Sequence, residues 1–250
     1  MSLYEKMLES AAGGKDSGVR SLFLGWKGSA IILEDGRWGV GAVPPSERDS
    51  HSPREPHTRL LLSATAREIA LLAVSPYPQE FAAASAALSA LLPPTEGGCP
   101  LEALLSLPGE ERVSLLSPDP WVSDFLRDWN WNLSIFDDRR KGLAVLPEWT
   151  SSQHMASSPW IWLTAEALRT RAILTLLPLF PRKKGVILQG PGIPYLPELF
   201  REAGVTHLVL PVPGEGSREE VFRYLGTGGS PWSCPDLRWR VFFLKGEGNI

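Results

Sequence analysis

The sequence predicts an α/β fold in which a small α+β unit is followed by a mainly parallel sheet covered by helices. Strand-like runs open the chain, helical patterns follow them, and strand-like and helical patterns alternate in the second half. The clearest example is an apolar run at 185–189, a turn at 190–194, a helical pattern at 197–203 and an apolar run at 208–210. This order is typical of doubly wound sheets, whose ligands bind at the carboxyl ends of the strands.

The first predicted domain comprises residues 1–94. An amphipathic helical pattern opens it, and an Asp35-Gly36 hairpin turn is expected between its second and third strands, because Asp-Gly tolerates positive φ. Two further helical patterns follow, and the second is rich in alanine, which favours helix strongly. In chain order, the predicted helices and strands lie at 3–11, 19–24, 29–33, 37–43, 58–73 and 79–92.

The second predicted domain comprises residues 95–250 and begins in a run of proline and glycine that is typical of a linker. Helices are expected at 121–129, within 165–180 and at 197–203. The predicted strands lie at 113–116, 133–136, 143–146, 160–163, 186–188, 208–210 and 240–244.

Composition excludes several classes of protein. The formal net charge of −3 lacks the basic excess that nucleic-acid binding usually leaves. Cys99 and Cys234 are too few for a disulfide framework, so a reducing compartment is the default. Because the chain has neither a secretory signal pattern nor an apolar run of about 18 residues, we expect no membrane span and a cytoplasmic setting.

Four short motifs occur in a fixed order over nearly the whole chain. They are Gly39-Val40-Gly41, Pro78-Gln79-Glu80, Thr164-Ala165, and Gly190-Pro191-Gly192-Ile193-Pro194 with the Pro197-Glu198-Leu199-Phe200 that follows. In this order they resemble the family proposed to act in heavy-metal chelation, which joins an enolase N-terminal-like domain to a Rossmann-like domain.

The resemblance implies an enolase N-terminal-like domain at 1–94 and a Rossmann-like domain at 95–250. It also implies a pocket between the domains for a metal chelator or a pterin- or flavin-like compound, with a divalent metal ion as the candidate cofactor. The motif glycines Gly39 and Gly41 are assigned to this ligand site.

The chain also departs from the family pattern in three places. Ser89-Ala90 stands where relatives tend to carry Asn-Ala, and the turn Ser117-Pro118-Asp119-Pro120 lacks the expected glycine. Pro211-Val212-Pro213-Gly214 replaces a Gly, Val and Asp pattern. These departures favour a divergent binding protein over an enzyme, and they leave catalysis undecided.

The turn after the strand at 185–189 is the first candidate ligand site. Backbone N–H groups before a helix attract phosphate or carboxylate. The alternative is a tight turn shaped by two glycines and two prolines. The residues assigned to the ligand are Gly190, Pro191, Gly192 and Ile193.

Asp137 is the second candidate, because it follows a predicted strand about twenty residues after the first turn of the second domain. A nucleotide-binding domain keeps its ribose-binding acid there. However, Pro118 and Pro120 remove two N–H donors from that turn, which disfavours a dinucleotide. The alternative is that Asp137 acts as a cap or forms an ion pair with Arg139 or Arg140.

Thr164 and Ala165 end another predicted strand, and the Thr164 hydroxyl either faces the same crevice or caps the next helix. Glu166, Arg169 and Arg171 lie close by in sequence. An arginine here could clamp a carboxylate, although exposure at the surface is the commoner outcome.

Two other groups have weaker patterns. His51 and His57 share a proline-rich loop with acidic residues, a set that suits a transition metal but matches no known ligand spacing. Trp26 and Trp38 are candidates for stacking on a planar ligand.

The sequence therefore supports a small-molecule protein acting on an anionic chelator or a pterin- or flavin-like compound. One alternative is a non-catalytic metal-handling accessory or binding protein, and another is an S-adenosylmethionine-dependent methyltransferase. Whether the chain forms a homodimer is left open.

Overall fold

The computed structural model describes residues 1–43, 61, 63–94, 98–129, 131–139, 145–181, 183–214 and 218–244. It confirms the predicted mixed α/β class, with a three-stranded antiparallel sheet and an eight-stranded, mainly parallel sheet. The chain forms two compact units, the first made of Met1–Thr95, Gly190–Leu196 and Pro211–Arg238, the second of Glu96–Gln189, Pro197–Leu210 and Trp239–Ile250. The predicted domain boundary at 94/95 stays a prediction.

The first unit begins with helix α1, Leu3–Gly13, which starts in a capping box: Glu5 N–H donates to the Ser2 hydroxyl and Ser2 N–H donates to the Glu5 carboxylate. The antiparallel strands β1 (Val19–Leu24), β2 (Gly28–Leu33) and β3 (Trp38–Ala42) follow. The predicted hairpin is confirmed: β2 pairs with β3, and Gly36 has a φ of +87° in the turn.

The helix predicted at 58–73 is interrupted in the structure: Leu61 and Ser63 are helical, but Ala64 and Thr65 are not. A capping box of Thr65 and Glu68 begins helix α2, Ala66–Ala70, and a 3₁₀ turn continues it over Leu71–Val74. Residues 58–60 and 62 of the predicted helix lie outside the described residues. The alanine-rich pattern forms helix α3, Pro78–Leu91, as predicted.

Helix α3 lies unusually close to strand β3. A Cβ atom added to Gly39 would sit 2.3 Å from Ala86 O, and one added to Gly41 would sit 2.1 Å from Ala82 O. The Ser29 hydroxyl donates a 2.6 Å hydrogen bond to Ala82 O. Small side chains on both elements therefore allow the helix backbone to approach the sheet.

The larger sheet contains eight strands in the order β4-β11-β10-β9-β8-β5-β6-β7. They are β4 (Cys99–Pro100), β5 (Arg112–Leu116), β6 (Asn132–Phe136), β7 (Val145–Leu146), β8 (Trp160–Thr164), β9 (Gly185–Gln189), β10 (His207–Pro213) and β11 (Leu237–Phe243). All residues of β8 and β9 are buried, as expected for the centre of a parallel sheet covered on both faces.

Short helices connect these strands. They are α4 (Glu102–Leu105), α5 (Pro120–Asp128), α6 (Ser151–Ser157), α7 (Ala165–Arg169), α8 (Ala172–Leu176), α9 (Pro197–Glu202) and α10 (Arg218–Gly226). The helix predicted within 165–180 is broken between α7 and α8, where Arg171 has a φ of +59°. In the described part of the chain, no helix combines the length and apolar character that a membrane span requires.

The strand order reverses beside β5. Strand β5 pairs in parallel with β6 on one side and with β8 on the other. The chain runs outward from β5 through β6 to β7, and then returns to build β8, β9 and β10 on the opposite side. Such a switch point is where doubly wound sheets bind ligands, outside the carboxyl ends of the strands.

Candidate functional site

Polar residues stand at the carboxyl ends of the strands around the switch point. Ser117 follows β5, Asp137 follows β6, and Thr164 ends β8. All three are buried. The Thr164 hydroxyl occupies the N-cap position of α7 without capping it, and donates instead to Ser117 O at 3.4 Å. Asp137 and Thr164, which the sequence predicts at strand ends, therefore lie at the same edge of the sheet.

Asp137 is paired with Arg139. Its Oδ1 accepts from Arg139 N–H at 2.9 Å and from Arg139 Nε at 2.7 Å, and its Oδ2 accepts from Arg139 Nη2 at 2.9 Å. The Asp137 side chain is fully buried and that of Arg139 is 22% exposed. This is the ion pair that the sequence left as the alternative to ribose binding. Arg140, the other predicted partner, lies outside the described residues.

One nitrogen of Arg139 has no partner among the described residues. Nη2 also reaches Pro118 O at 3.4 Å, but Nη1 is buried and makes no hydrogen bond to any described residue. Burial would lower the pKa of Arg139, but the hydrogen bonds and charge of Asp137, with the charges of Glu166 and Glu148, raise it. The guanidinium therefore stays charged, with one donor left for another molecule.

Ser117 adopts a backbone conformation that favours glycine. Its φ is +43°, in the left-handed region. Its hydroxyl donates a short hydrogen bond to Glu148 Oε1, and Glu148 N–H donates to Asp138 Oδ1 at 2.9 Å. The glycine missing from this turn is thus replaced by a strained serine held by a carboxylate. Backbone strain of this kind clusters at functional sites.

The strain at Ser117 gives a testable prediction. We expect Ser117→Gly to be more stable than Ser117→Ala by about 0.5–1 kcal/mol, since both lose the contact with Glu148 but only glycine relieves the backbone. Ser10 in α1 is the control, because in a helix alanine should be favoured over glycine by about 1 kcal/mol. Chemical denaturation of the four variants measures both differences. Equal stability of the two Ser117 variants would contradict the strain.

A second ion pair lies in the same region. Arg169 Nε and Nη2 donate to Glu166 Oε2 and Oε1 at 3.1 and 2.8 Å, and both side chains are mostly buried. Asp119 is buried at the start of α5, where its carboxylate accepts from Trp121 N–H. We call the whole set the switch-point cluster: Ser117, Asp119, Asp137, Arg139, Glu148, Thr164, Glu166 and Arg169.

Sequence reasoning missed Glu148. It lies 31 residues from Ser117, in a 3₁₀ turn at Glu148–Thr150 that no periodic pattern marks. Only the pairing of β7 with β6 places this segment beside the carboxyl end of β5. From the sequence, Arg139 could be predicted only as a partner for Asp137. That its Nη1 lacks a partner among the described residues follows from the folded structure.

The turn at 190–194 is buried and packs within the first unit. Gly192 has a φ of +86°, and a Cβ atom there would sit 2.5 Å from Ser85 Cβ and 3.2 Å from Gly41 Cα. Close packing therefore accounts for glycine at this position, as it does at Gly39 and Gly41. The predicted ligand role of these glycines, and of Pro191, Ile193 and Ala165, stays a prediction.

Across the described ranges, no group of three or more His, Cys, Asp or Glu side chains is placed to hold a metal ion. The predicted candidates His51 and His57 lie outside these ranges. Trp26 is half exposed, while Trp38 packs against a core cluster that contains Ala30.

Two family models match the chain. One, DUF4213, covers residues 4–92 and the other, DUF364, covers residues 119–241, and both carry the description "Putative heavy-metal chelation". No curated protein sequence matches this chain.

Solved structures match the fold over almost the whole chain. A DUF364 protein of unknown function from Desulfitobacterium hafniense DCB-2 is 20% identical, with a TM-score of 0.77. One from Pyrococcus horikoshii is 17% identical, with a TM-score of 0.72. Each alignment covers 96% of this chain and 98% of the solved one. By the match of its sequence to both models, this chain belongs to the family described as "Putative heavy-metal chelation".

Proposed function

We propose that this chain binds a small anionic molecule at the switch-point cluster, and that the molecule is a metal chelator or a pterin- or flavin-like compound. One observation carries the proposal: the charged, mostly buried guanidinium of Arg139 leaves its buried Nη1 without a partner in the described chain. Buried donors without partners are rare in proteins. A carboxylate or carbonyl oxygen of a ligand would satisfy it.

The guanidinium of Arg139 is preorganised for such a ligand. Asp137 fixes both Nε and Nη2, so the direction of Nη1 is set before a ligand arrives. A donor held in this way loses little conformational entropy on binding, which favours affinity. A hydrogen bond between a guanidinium and an anionic oxygen is also about twice as strong as one between neutral groups.

The proposal concerns binding and includes no chemical step. The described side chains offer no three-ligand metal group, so no metal held by the protein is invoked. A metal-loaded chelator would bring its own ion to the site as cargo, which is compatible with the family description.

A thermal-shift screen tests this function. The wild-type chain is mixed with chelators, pterins, flavins, S-adenosylmethionine and divalent metals. A ligand at one hundred times its Kd should stabilise the fold by about 2.7 kcal/mol. Arg139→Lys keeps the charge beside Asp137 but removes the planar fork, and should abolish the stabilisation.

Arg127→Lys is the matched control, because Arg127 forms an exposed ion pair with Asp124 on α5. This variant should respond to the ligand as the wild type does. If no compound stabilises the wild-type chain, or if Arg139→Lys binds as tightly as the wild type, the proposed function is wrong.

A further inference from the structure

Two groups of opposite hydrogen-bonding character flank the Ser117-Pro118 peptide. On one side, Arg139 Nη2 approaches Pro118 O at 3.4 Å, and Nη1 of the same guanidinium is a donor without a partner in the described chain. On the other side, the Glu148 carboxylate accepts the Ser117 hydroxyl. A donor group and an acceptor group thus both contact the turn that follows β5.

Glu148 is also held in place by hydrogen bonds. Its backbone N–H donates to Asp138 Oδ1 at 2.9 Å, and Asp138 directly follows Asp137, which holds Arg139. Glu148 is half-buried as a residue, and among the described residues its carboxylate accepts from Ser117 through Oε1. A carboxylate accepts up to four hydrogen bonds and donates none, so it can take a further donor from a ligand.

From this arrangement we infer the ligand class, an inference that rests on the proposed function. The ligand is a carboxylate with an amino or hydroxyl group on the neighbouring carbon. Its carboxylate oxygen accepts from Arg139 Nη1, and its amino or hydroxyl group donates to Glu148. Such amino- and hydroxycarboxylates are themselves metal chelators, because oxygen and nitrogen donors on neighbouring atoms close a ring around a cation.

The arrangement disfavours other anions. Phosphate carries one or two acidic protons at neutral pH but presents mostly negatively charged oxygens, so its binding beside the Glu148 carboxylate is opposed by like-charge repulsion. A simple dicarboxylate satisfies Arg139 but leaves the Glu148 oxygen without a new donor. Selectivity should therefore depend on the group beside the carboxylate and on Glu148.

Succinate, malate and aspartate form a matched series for the test. They are four-carbon dicarboxylates that differ at one carbon, which carries hydrogen, hydroxyl or ammonium. Titration calorimetry with the wild-type chain should give Kd values for malate and aspartate at least about tenfold lower than for succinate, as one charge-assisted hydrogen bond predicts. Inorganic phosphate should bind more weakly than any of the three.

Glu148→Gln separates selectivity for the amino or hydroxyl group from binding of the carboxylate. In this variant the preference for malate and aspartate over succinate should fall to about threefold or less, while succinate affinity is retained. Glu102→Gln, in α4, is the control and should leave the preference unchanged.

The outcomes distinguish this inference from the proposed function. Equal Kd values for the three dicarboxylates, or tighter binding of phosphate, would overturn the ligand class. The same holds if only pterin- or flavin-like compounds bind, and in these cases Arg139-dependent binding still supports the proposed function. If no compound of any class binds, both fail.

Discussion

Asp137→Ala is expected to lower the free energy of unfolding by about 3 kcal/mol. The Asp137 carboxylate is fully buried and accepts three hydrogen bonds from Arg139. Its removal leaves a mostly buried guanidinium without its counter-charge, and breaking a buried pair in this way costs about 3–5 kcal/mol. The lower figure applies because the Arg139 side chain is 22% exposed. Urea denaturation monitored by circular dichroism measures the change.

Asp124→Ala is the matched control, because Asp124 forms an exposed ion pair with Arg127 on α5. We expect this variant to lose less than about 0.5 kcal/mol. The double variant Asp137→Ala/Arg139→Met should recover part of the loss, since it removes the unpaired charge. A loss at Asp137 no larger than that at Asp124 would show that the buried pair contributes little.

The second large effect is expected at Gly41. Gly41→Ala should lower the free energy of unfolding by about 3 kcal/mol, because the new Cβ atom would lie 2.1 Å from the backbone oxygen of Ala82. Either β3 or α3 has to move, and overpacking of this kind costs about 1–3 kcal/mol or more. Thermal and urea denaturation both measure this loss of stability.

Gly13→Ala is the control for this substitution. Gly13 ends α1, and no atom lies within 4 Å of the position that its Cβ would take. Alanine is favoured in helices, so Gly13→Ala should be neutral or stabilising by up to about 1 kcal/mol. If Gly41→Ala were as stable as Gly13→Ala, the close approach of α3 to β3 would be wrong.

The same packing makes variants of Gly192 poor tests of ligand binding. A side chain there meets Ser85 at 2.5 Å, and the φ of +86° is strained for any other residue. Gly192→Val would therefore destabilise the first unit whether or not a ligand binds near it. Variants of Arg139 and Glu148 are better tests of binding, because Arg139→Lys and Glu148→Gln add no side chain to a closely packed glycine with positive φ.

Periodic patterns predicted most of the fold. Alternating apolar runs and helical patterns located the parallel strands, and Asp35-Gly36 located the hairpin, because these features depend on residues close in sequence. The helix predicted at 58–73 is interrupted, because the capping box of Thr65 and Glu68 begins a separate helix, α2, within the apolar pattern.

The candidate site was only partly predictable. Asp137 and Thr164 could be assigned to strand ends, and the pairing of Asp137 with Arg139 was an open alternative. Glu148 and the left-handed backbone of Ser117 could not be found, because both depend on contacts between distant segments. The ligand role of glycines such as Gly41 stays a prediction, and their close approach to a helix backbone could not be foreseen, because it also depends on distant segments.

A crystal structure of the chain with its tightest ligand from the thermal-shift screen tests the central claim most directly. We predict an anionic oxygen of the ligand about 2.7–2.9 Å from Arg139 Nη1, the distance typical of a charge-assisted hydrogen bond. The pair of Asp137 and Arg139 should keep its present geometry. A ligand bound elsewhere, with Arg139 Nη1 making no contact to it, would contradict the claim that the switch-point cluster is the binding site.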